Sequence, residues 1–162
     1  PEEIYKEPKN QFVAEFIGST NLIKGKVVSK EKTDSCWVSM VQTGLSDEPV
    51  RVEEPLDSRQ FNLEDVLLAI RPELIHLMKG RTGHINSFTA EIINSVYMGD
   101  YYKVLIKIKD GSELNVKISP EAFSQYSSQK TLEFFFNANC VTTIFEKEKG
   151  VMLKLVEEPQ LG

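Results

Sequence analysis

The sequence predicts a mainly β protein, built as a barrel or a sandwich and not from alternating βαβ units. Many short runs rich in β-branched residues alternate with polar turns, a pattern typical of antiparallel meanders. An Asp-Gly pair at 110–111 separates two alternating runs and indicates a hairpin. Helical periodicity is confined to the N-terminal segment 1–20 and to a short stretch at 120–126.

Composition limits the classes of function. The chain has 162 residues, enough for one domain or for two small β units that share a core. Its net charge of −5 and its pI of about 5.2 argue against nucleic acid and anionic membranes as partners. Because no run of eighteen apolar residues and no secretion signal occur, we expect no direct membrane insertion. Cys36 and Cys140 lack metal-binding spacing, which favours buried free thiols.

The N-terminal segment 1–20 is predicted to be a helical linker. Pro8 ends a first helical turn, because proline lacks an amide hydrogen and disfavours helical angles in the residue before it. Asn10 suits the N-cap of a second helix, and Gly18 suits its closing residue. That helix presents four large apolar side chains on one face: Phe12, Val13, Phe16 and Ile17. A helix this short is marginal alone in water, so we expect another surface to cover this face.

The remaining region, 21–162, is predicted to be rich in β-structure. Its continuous apolar run Val66–Ile70 predicts a strand that is buried on both faces. A glycine-containing loop at 80–83 separates two portions, which favours halves of similar size at 22–78 and 85–157. No close repeat at a fixed period is visible. The chain opens on proline instead of methionine, which we interpret as the start of a piece of a longer protein.

The hairpin around the Asp-Gly pair has a predicted register. A two-residue loop would mix apolar and polar side chains on one face of the hairpin. A three-residue loop, 110–112, instead pairs Ile108 with Leu114 and Ile106 with Val116, so the sequence predicts that register.

The C-terminal part of the chain is predicted to contain one more helix and further strands. Ser119 suits an N-cap followed by proline at the first helical position, which predicts a short helix over 120–126. Runs at 132–137, 140–145 and 151–156 are of strand length.

Motifs for catalysis or cofactor binding are not found. Neither a GxxxxGK[ST] phosphate loop nor a GxGxxG after a strand occurs, so we expect no nucleotide cofactor on this chain. His76 and His84 have no nucleophile elbow beside them, and no metal-ligand spacing occurs, so we predict no catalytic and no metal site. The aromatic and basic run 101–103 could form a platform that stacks single-stranded bases, but the acidic net charge favours a solvated strand face instead.

Three stretches resemble one family. In order along the chain they are "PEEIYKEPKNQFVAEFIGSTNLIKGKV", "LLAIRPELI" and "VYMGDYYKVLIKIKDGSELNV". Together they are similar to the C-terminal regulatory part, with its TOBE domain, of ATP-binding subunits of ABC importers for polyamines, iron and sugars. The resemblance implies an OB-like β-barrel unit, and it implies that the ATPase core, which would bind ATP and Mg²⁺, lies upstream of this chain.

The resemblance also yields candidate interface or regulatory residues. Arg71 and Glu73 match the Arg-Pro-Glu of the family, where we expect an ion pair or a turn at a strand end. Tyr97 and Gly99 fit a strand end at which the backbone turns closely. The apolar face at 12–17 would dock onto the barrel, the ATPase core or a second subunit.

The function implied by the resemblance is regulation without catalysis. This chain would pair as a homodimer and contact the ATPase core and the membrane permease subunits of an importer of the spermidine/putrescine type. It would then be cytoplasmic and peripheral to the inner face of the membrane. Two alternatives stay open: a module that senses a solute or an oxyanion and inhibits the transporter, and an OB-type domain that binds nucleic acid.

Overall fold

A computed structural model describes residues 20–58, 60, 65–77, 85–126 and 128–145. The strands in chain order are β1 Asn21–Lys32, β2 Cys36–Thr43, β3 Val50–Pro55, β4 Asp65–Ile70, β5 His76–Leu77, β6 Asn86–Tyr97, β7 Tyr102–Lys107, β8 Glu113–Ile118, β9 Thr131–Phe136 and β10 Thr142–Phe145. Two 3-10 turns, Pro72–Leu74 and Ala138–Cys140, follow β4 and β9. Residues 1–19 of the predicted helical linker 1–20 and the predicted strand 151–156 lie outside the described residues.

The strands form two five-stranded sheets, which confirms the mainly β, OB-like prediction. The orders are β10-β4-β1-β2-β3 and β5-β9-β6-β7-β8, and all recorded pairs are antiparallel. The sheets exchange their edge strands. The short β5, which follows β4 in sequence, pairs with β9 of the second sheet, and β10, which follows β9, pairs with β4 of the first. Neither sheet is therefore built from one continuous part of the chain.

The two sheets are a structural repeat, although no close repeat is visible in the sequence. Each contains one 12-residue strand, β1 or β6, at its centre, with a bulge before the exposed end of the strand. Equivalent residues lie about 65 positions apart, as Asn21 and Asn86 do. The bulges at Val28 and Ile93 obey the same offset. The sequence does not reveal this repeat because the two halves share burial patterns and bulges and few identical residues.

Two buried asparagines join the halves by matching hydrogen bonds. The Asn21 side chain accepts a hydrogen bond from the Asn115 backbone N–H at 2.9 Å and donates to the Asn115 carbonyl at 2.8 Å. The Asn86 side chain makes the same pair of bonds with Arg51, at 2.9 and 2.8 Å. The first strand of each half thus binds the third strand of the other half. Buried polar groups need such partners, so the pairs fix how the sheets pack.

The core lies between the sheets and takes side chains from both. Its largest fully buried side chains include Phe134 and Phe136, and Phe88 stacks on Phe134 with ring centroids 5.7 Å apart. All residues of β4 after its first are buried, which confirms the predicted strand with two buried faces. The predicted helix is also confirmed. It spans Pro120–Tyr126, and the Ser119 Oγ accepts a hydrogen bond from an N–H of the first turn at 3.2 Å.

The predicted hairpin register is wrong by two residues. Ile106 pairs with Leu114 and Val104 with Val116. The loop is three residues long, as predicted, but it comprises 109–111, because the N–H of Ile108 donates to the Ser112 carbonyl at 2.9 Å and closes the loop there. The last loop position has a φ of +93°, which glycine adopts without strain and serine does not. A shift of two residues keeps every side chain on its predicted face, so the alternation alone could not choose between the registers.

Candidate functional site

Arg71 and Glu73 lie at the end of β4, in a turn as expected. The Arg71 carbonyl accepts a hydrogen bond from the Leu74 N–H at 3.0 Å, which opens the first 3-10 turn. Proline at the first position of this turn removes an N–H that would have no partner there. Arg71 is half-buried and Glu73 is exposed. The turn thus holds both charged residues at the outer side of β8.

Tyr97 and Gly99 lie where β6 turns into β7. Tyr97 is the last residue of β6, and Gly99 has a φ of +107° in the turn to β7. The Tyr97 hydroxyl donates to the Gly99 carbonyl, and the Met98 N–H donates to the Tyr101 carbonyl at 2.8 Å. The Tyr97 ring lies 5.1 Å from that of Tyr102. These contacts hold the turn in one shape.

The structure brings the first 3-10 turn and the β6–β7 turn together around a cleft of about 280 Å³. The cleft lies between the start of β1, that 3-10 turn and the outer face of β7 and β8. Its lining residues are Thr20, Asn21, Arg71, Pro72, Glu73, Met98, Tyr101, Lys103, Asn115, Val116 and Lys117. Arg71 and Glu73 are thus members of a site, whereas Tyr97 and Gly99 do not line it.

Polar groups with defined partners line this cleft. Asn21 and Asn115 line it and are joined by the two hydrogen bonds described above. The Lys117 ammonium lies over the Tyr101 ring, 5.0 Å from its centroid, a cation–π contact that holds both side chains in place. The Thr20 hydroxyl is buried beside them without a hydrogen-bond partner, and a ligand or a water could satisfy it.

The electrostatics of the cleft are opposite to those of the chain. Three cationic side chains, Arg71, Lys103 and Lys117, line it with one carboxylate, Glu73. The chain as a whole carries −5. Sequence reasoning missed the two lysines as site residues, since they alternate with apolar residues and look like an ordinary solvated strand face. Only the fold places Arg71, from the other half of the chain, beside them.

The nucleic-acid platform considered for residues 101–103 has little free aromatic surface. The Tyr102 ring packs against Phe123 with centroids 4.4 Å apart, and the Tyr101 ring lies under Lys117. Bases would need exposed aromatic faces on which to stack.

Two described groups outside the cleft have shifted pKa values. Burial lowers the pKa of Lys30, and the nearby Glu54 carboxylate opposes this shift. Hydrogen bonds from the Ser112 side chain and backbone lower the pKa of Asp110. Neither group lines the cleft.

The apolar face at Phe12, Val13, Phe16 and Ile17 lies outside the described residues, so its docking surface stays a prediction. Within the described residues, His, Cys, Asp and Glu side chains form no group of three that could hold a metal ion. No helix in the described part of the chain is long and apolar enough to cross a membrane.

Comparison with known proteins relates this fold to a family. Residues 68–133, which include the first 3-10 turn, β7 and β8, match the TOBE domain model. The structure of the cytoplasmic molybdate-binding protein ModG, with molybdate bound, has the same fold, with a TM-score of 0.69 at 16% identity over 76% of this chain and 94% of that one.

Sequence relatives cover more of the chain. The spermidine/putrescine import ATP-binding protein PotA of Trichormus variabilis is 33% identical over 133 residues, which are 81% of this chain and 33% of that protein. The PotA protein of Pseudomonas fluorescens is 32% identical over 72% of this chain and 29% of its own length. This chain therefore spans about a third of the length of these curated relatives. The chain carries a TOBE domain, and over most of its length it belongs with the TOBE-containing part of polyamine-import ATP-binding proteins.

Proposed function

We propose that this chain is the noncatalytic regulatory and dimerisation domain of the ATP-binding subunit of an ABC importer for spermidine or putrescine. The observation that carries the proposal is the 33% identity to such a subunit over 133 residues, with a TOBE match inside the aligned region. Similar identity to a second such subunit, over 72% of this chain, supports it.

The proposal assigns the chemistry to another part of the protein. A separate ATPase core binds ATP and Mg²⁺, and this chain holds no cofactor of its own. The partners are that core, the membrane permease subunits and a second copy of this chain. The domain then works in the cytoplasm, at the inner face of the membrane. It needs neither nucleic acid nor direct membrane insertion.

Dimerisation is the physical role that we assign to this chain. Two regulatory domains that stay joined keep their ATPase cores at a high effective concentration while the cores open and close. Exposed apolar side chains near the β6–β7 turn offer a surface for such a contact: Ile93, Val96, Tyr97 and Met98. Burying them would remove apolar area from water, which favours association.

Deletion from the parent protein tests the regulatory role. The reading frame upstream of residue 1 should encode a phosphate loop. Removal of residues 1–162 should leave ATP hydrolysis measurable and should abolish or deregulate the uptake of labelled putrescine. An unchanged uptake rate, with unchanged regulation, contradicts the proposal. So does turnover of ATP by the 162-residue chain alone.

Sedimentation of the chain tests the dimer. At micromolar concentration we expect a dimer that Val96→Lys weakens, because a charge replaces an exposed apolar side chain at the proposed contact. Val28→Lys is the matched control, since Val28 is also exposed and lies in the other half of the repeat. A monomer at all concentrations, or equal weakening by both substitutions, refutes the proposed contact.

A further inference from the structure

The repeat provides an internal control for the charged cleft. The positions equivalent to Arg71 and Glu73 are Asn137 and Asn139, which flank and enter the second 3-10 turn. Lys103 corresponds to Val38 on β2. None of these three counterparts carries a charge. The same architecture therefore forms in the first half without these cations. Folding alone does not explain why the cleft carries them.

The fourth counterpart reinforces this contrast. Lys117 on β8 corresponds to Glu53 on β3. There the Glu53 carboxylate accepts a hydrogen bond from Arg51 at 2.8 Å, so the local charges pair internally. At the cleft, the Lys117 ammonium contacts an aromatic ring instead. In the first half an ion pair forms at this position, whereas in the second half two lysines and Arg71 line an open cleft with one carboxylate.

We propose that the cleft binds a small organic dianion, either a dicarboxylate or a phosphate monoester. Lys103 and Lys117, together with Arg71, line the cleft, and lysine and arginine donate charge-assisted hydrogen bonds to the oxygens of such a ligand. The buried Thr20 hydroxyl, which lacks a partner, supplies one further polar contact.

The volume of the cleft indicates the size of ligand that it can hold. The cleft volume of about 280 Å³ is the volume that about nine water molecules occupy in liquid water. A four-carbon dicarboxylate or a three-carbon phosphate ester fits within such a space and occupies more of it than a bare tetrahedral oxyanion, which leaves most of it to water. A polyamine is disfavoured because it would bring like charges to the three cations.

Binding to the chain itself does not depend on the proposed function; only its regulatory consequence does. If the deletion experiment failed, the cleft could still bind its ligand, and if binding failed, the chain could still regulate an ATPase. The two experiments therefore fail separately.

Calorimetry on the full 162-residue chain at low salt tests the inference. The probes are L-malate, glycerol 3-phosphate, sulfate and spermidine. We expect malate or glycerol 3-phosphate to bind with a Kd below about 1 mM, sulfate at least about tenfold more weakly, and spermidine without measurable heat. No binding of either organic anion overturns the inference, as does sulfate or spermidine binding equally well.

Variants locate the site. Lys103→Met and Lys117→Met should each weaken binding by about tenfold or more, because each removes a charged hydrogen-bond donor. Glu73→Gln should strengthen it, since a like charge leaves the rim. Lys107→Met is the matched control: Lys107 lies on the same strand and is exposed, but it does not line the cleft. Circular dichroism checks that every variant folds. Equal weakening by the control, or weakening by Glu73→Gln, overturns the assignment.

Discussion

Substitution of Asn86 tests whether its hydrogen bonds to β3 stabilise the packing of the two halves. Its side chain is 4% exposed and makes both of its described hydrogen bonds to one backbone unit, that of Arg51 on β3. Replacing Asn86 by alanine removes both bonds and leaves an N–H and a carbonyl of a half-buried strand without their partners. No other described side chain makes this bridge between β6 and β3.

The expected cost follows from those two bonds. Each hydrogen bond contributes about 0.5–1.5 kcal/mol net, and an unsatisfied buried group costs about 1–3 kcal/mol, less where water can enter. Arg51 is half-buried, so water recovers part of the loss. We therefore expect Asn86→Ala to lower the free energy of unfolding by about 2–3 kcal/mol. In a chain of this size that corresponds to a melting temperature lowered by roughly 5–10 °C.

Urea unfolding, followed by circular dichroism, measures this loss. The control is Asn94→Ala on the same strand, where the side chain is exposed and should change stability by no more than about 0.5 kcal/mol. Asn21→Ala should cost as much as Asn86→Ala, because its two bonds have the same lengths. A loss below about 0.5 kcal/mol for Asn86→Ala would refute the view that these bonds lock the halves together.

Three further predictions concern glycines and one carboxylate. Gly25→Ala would place a Cβ 2.4 Å from a Val41 methyl group, so we expect a loss of about 1–3 kcal/mol in urea unfolding. Gly111→Ala meets no atom within 4 Å, and its φ of +93° should cost only about 1–2 kcal/mol in the same assay. The lowered pKa of Asp110 means that its carboxylate stabilises the fold fully above its usual value of 3.8 and loses that effect as the pH falls through the lowered pKa. Ser112→Ala should therefore flatten the acid limb of a stability–pH curve, and an unchanged limb would contradict this.

Local signals predicted the local structure. The bounds of the short helix follow from a serine cap before proline, a signal that acts within a few residues. The two buried faces of β4 follow from its unbroken apolar run. These elements need no knowledge of the rest of the chain.

Features that depend on distant contacts could not be predicted. The strand β5 has only two residues and forms because β9 offers it an edge, so no periodicity marks it. The hairpin register depends on which loop position takes a positive φ, a choice that alternation leaves open. The cleft joins residues from both halves, and spacing along the chain does not indicate that Arg71 and Lys117 share a site.

The cleft lies between the two halves of the repeat, so a ligand bound there should affect the stability of the whole chain. Arg71 and Thr20 come from the first half, and Lys103 and Lys117 from the second, so a bound ligand contacts both. A ligand that binds only the folded state stabilises it by about 2.7 kcal/mol at a hundred times its Kd. Asn21 joins the halves at the cleft, whereas Asn86 joins them at the other junction. Asn21→Ala should therefore weaken ligand binding, and Asn86→Ala should not. Both substitutions should destabilise the fold. Calorimetry with the ligand that the wild-type chain binds separates these outcomes. Equal affinity in the two variants would mean that the cleft does not depend on the junction it lies on.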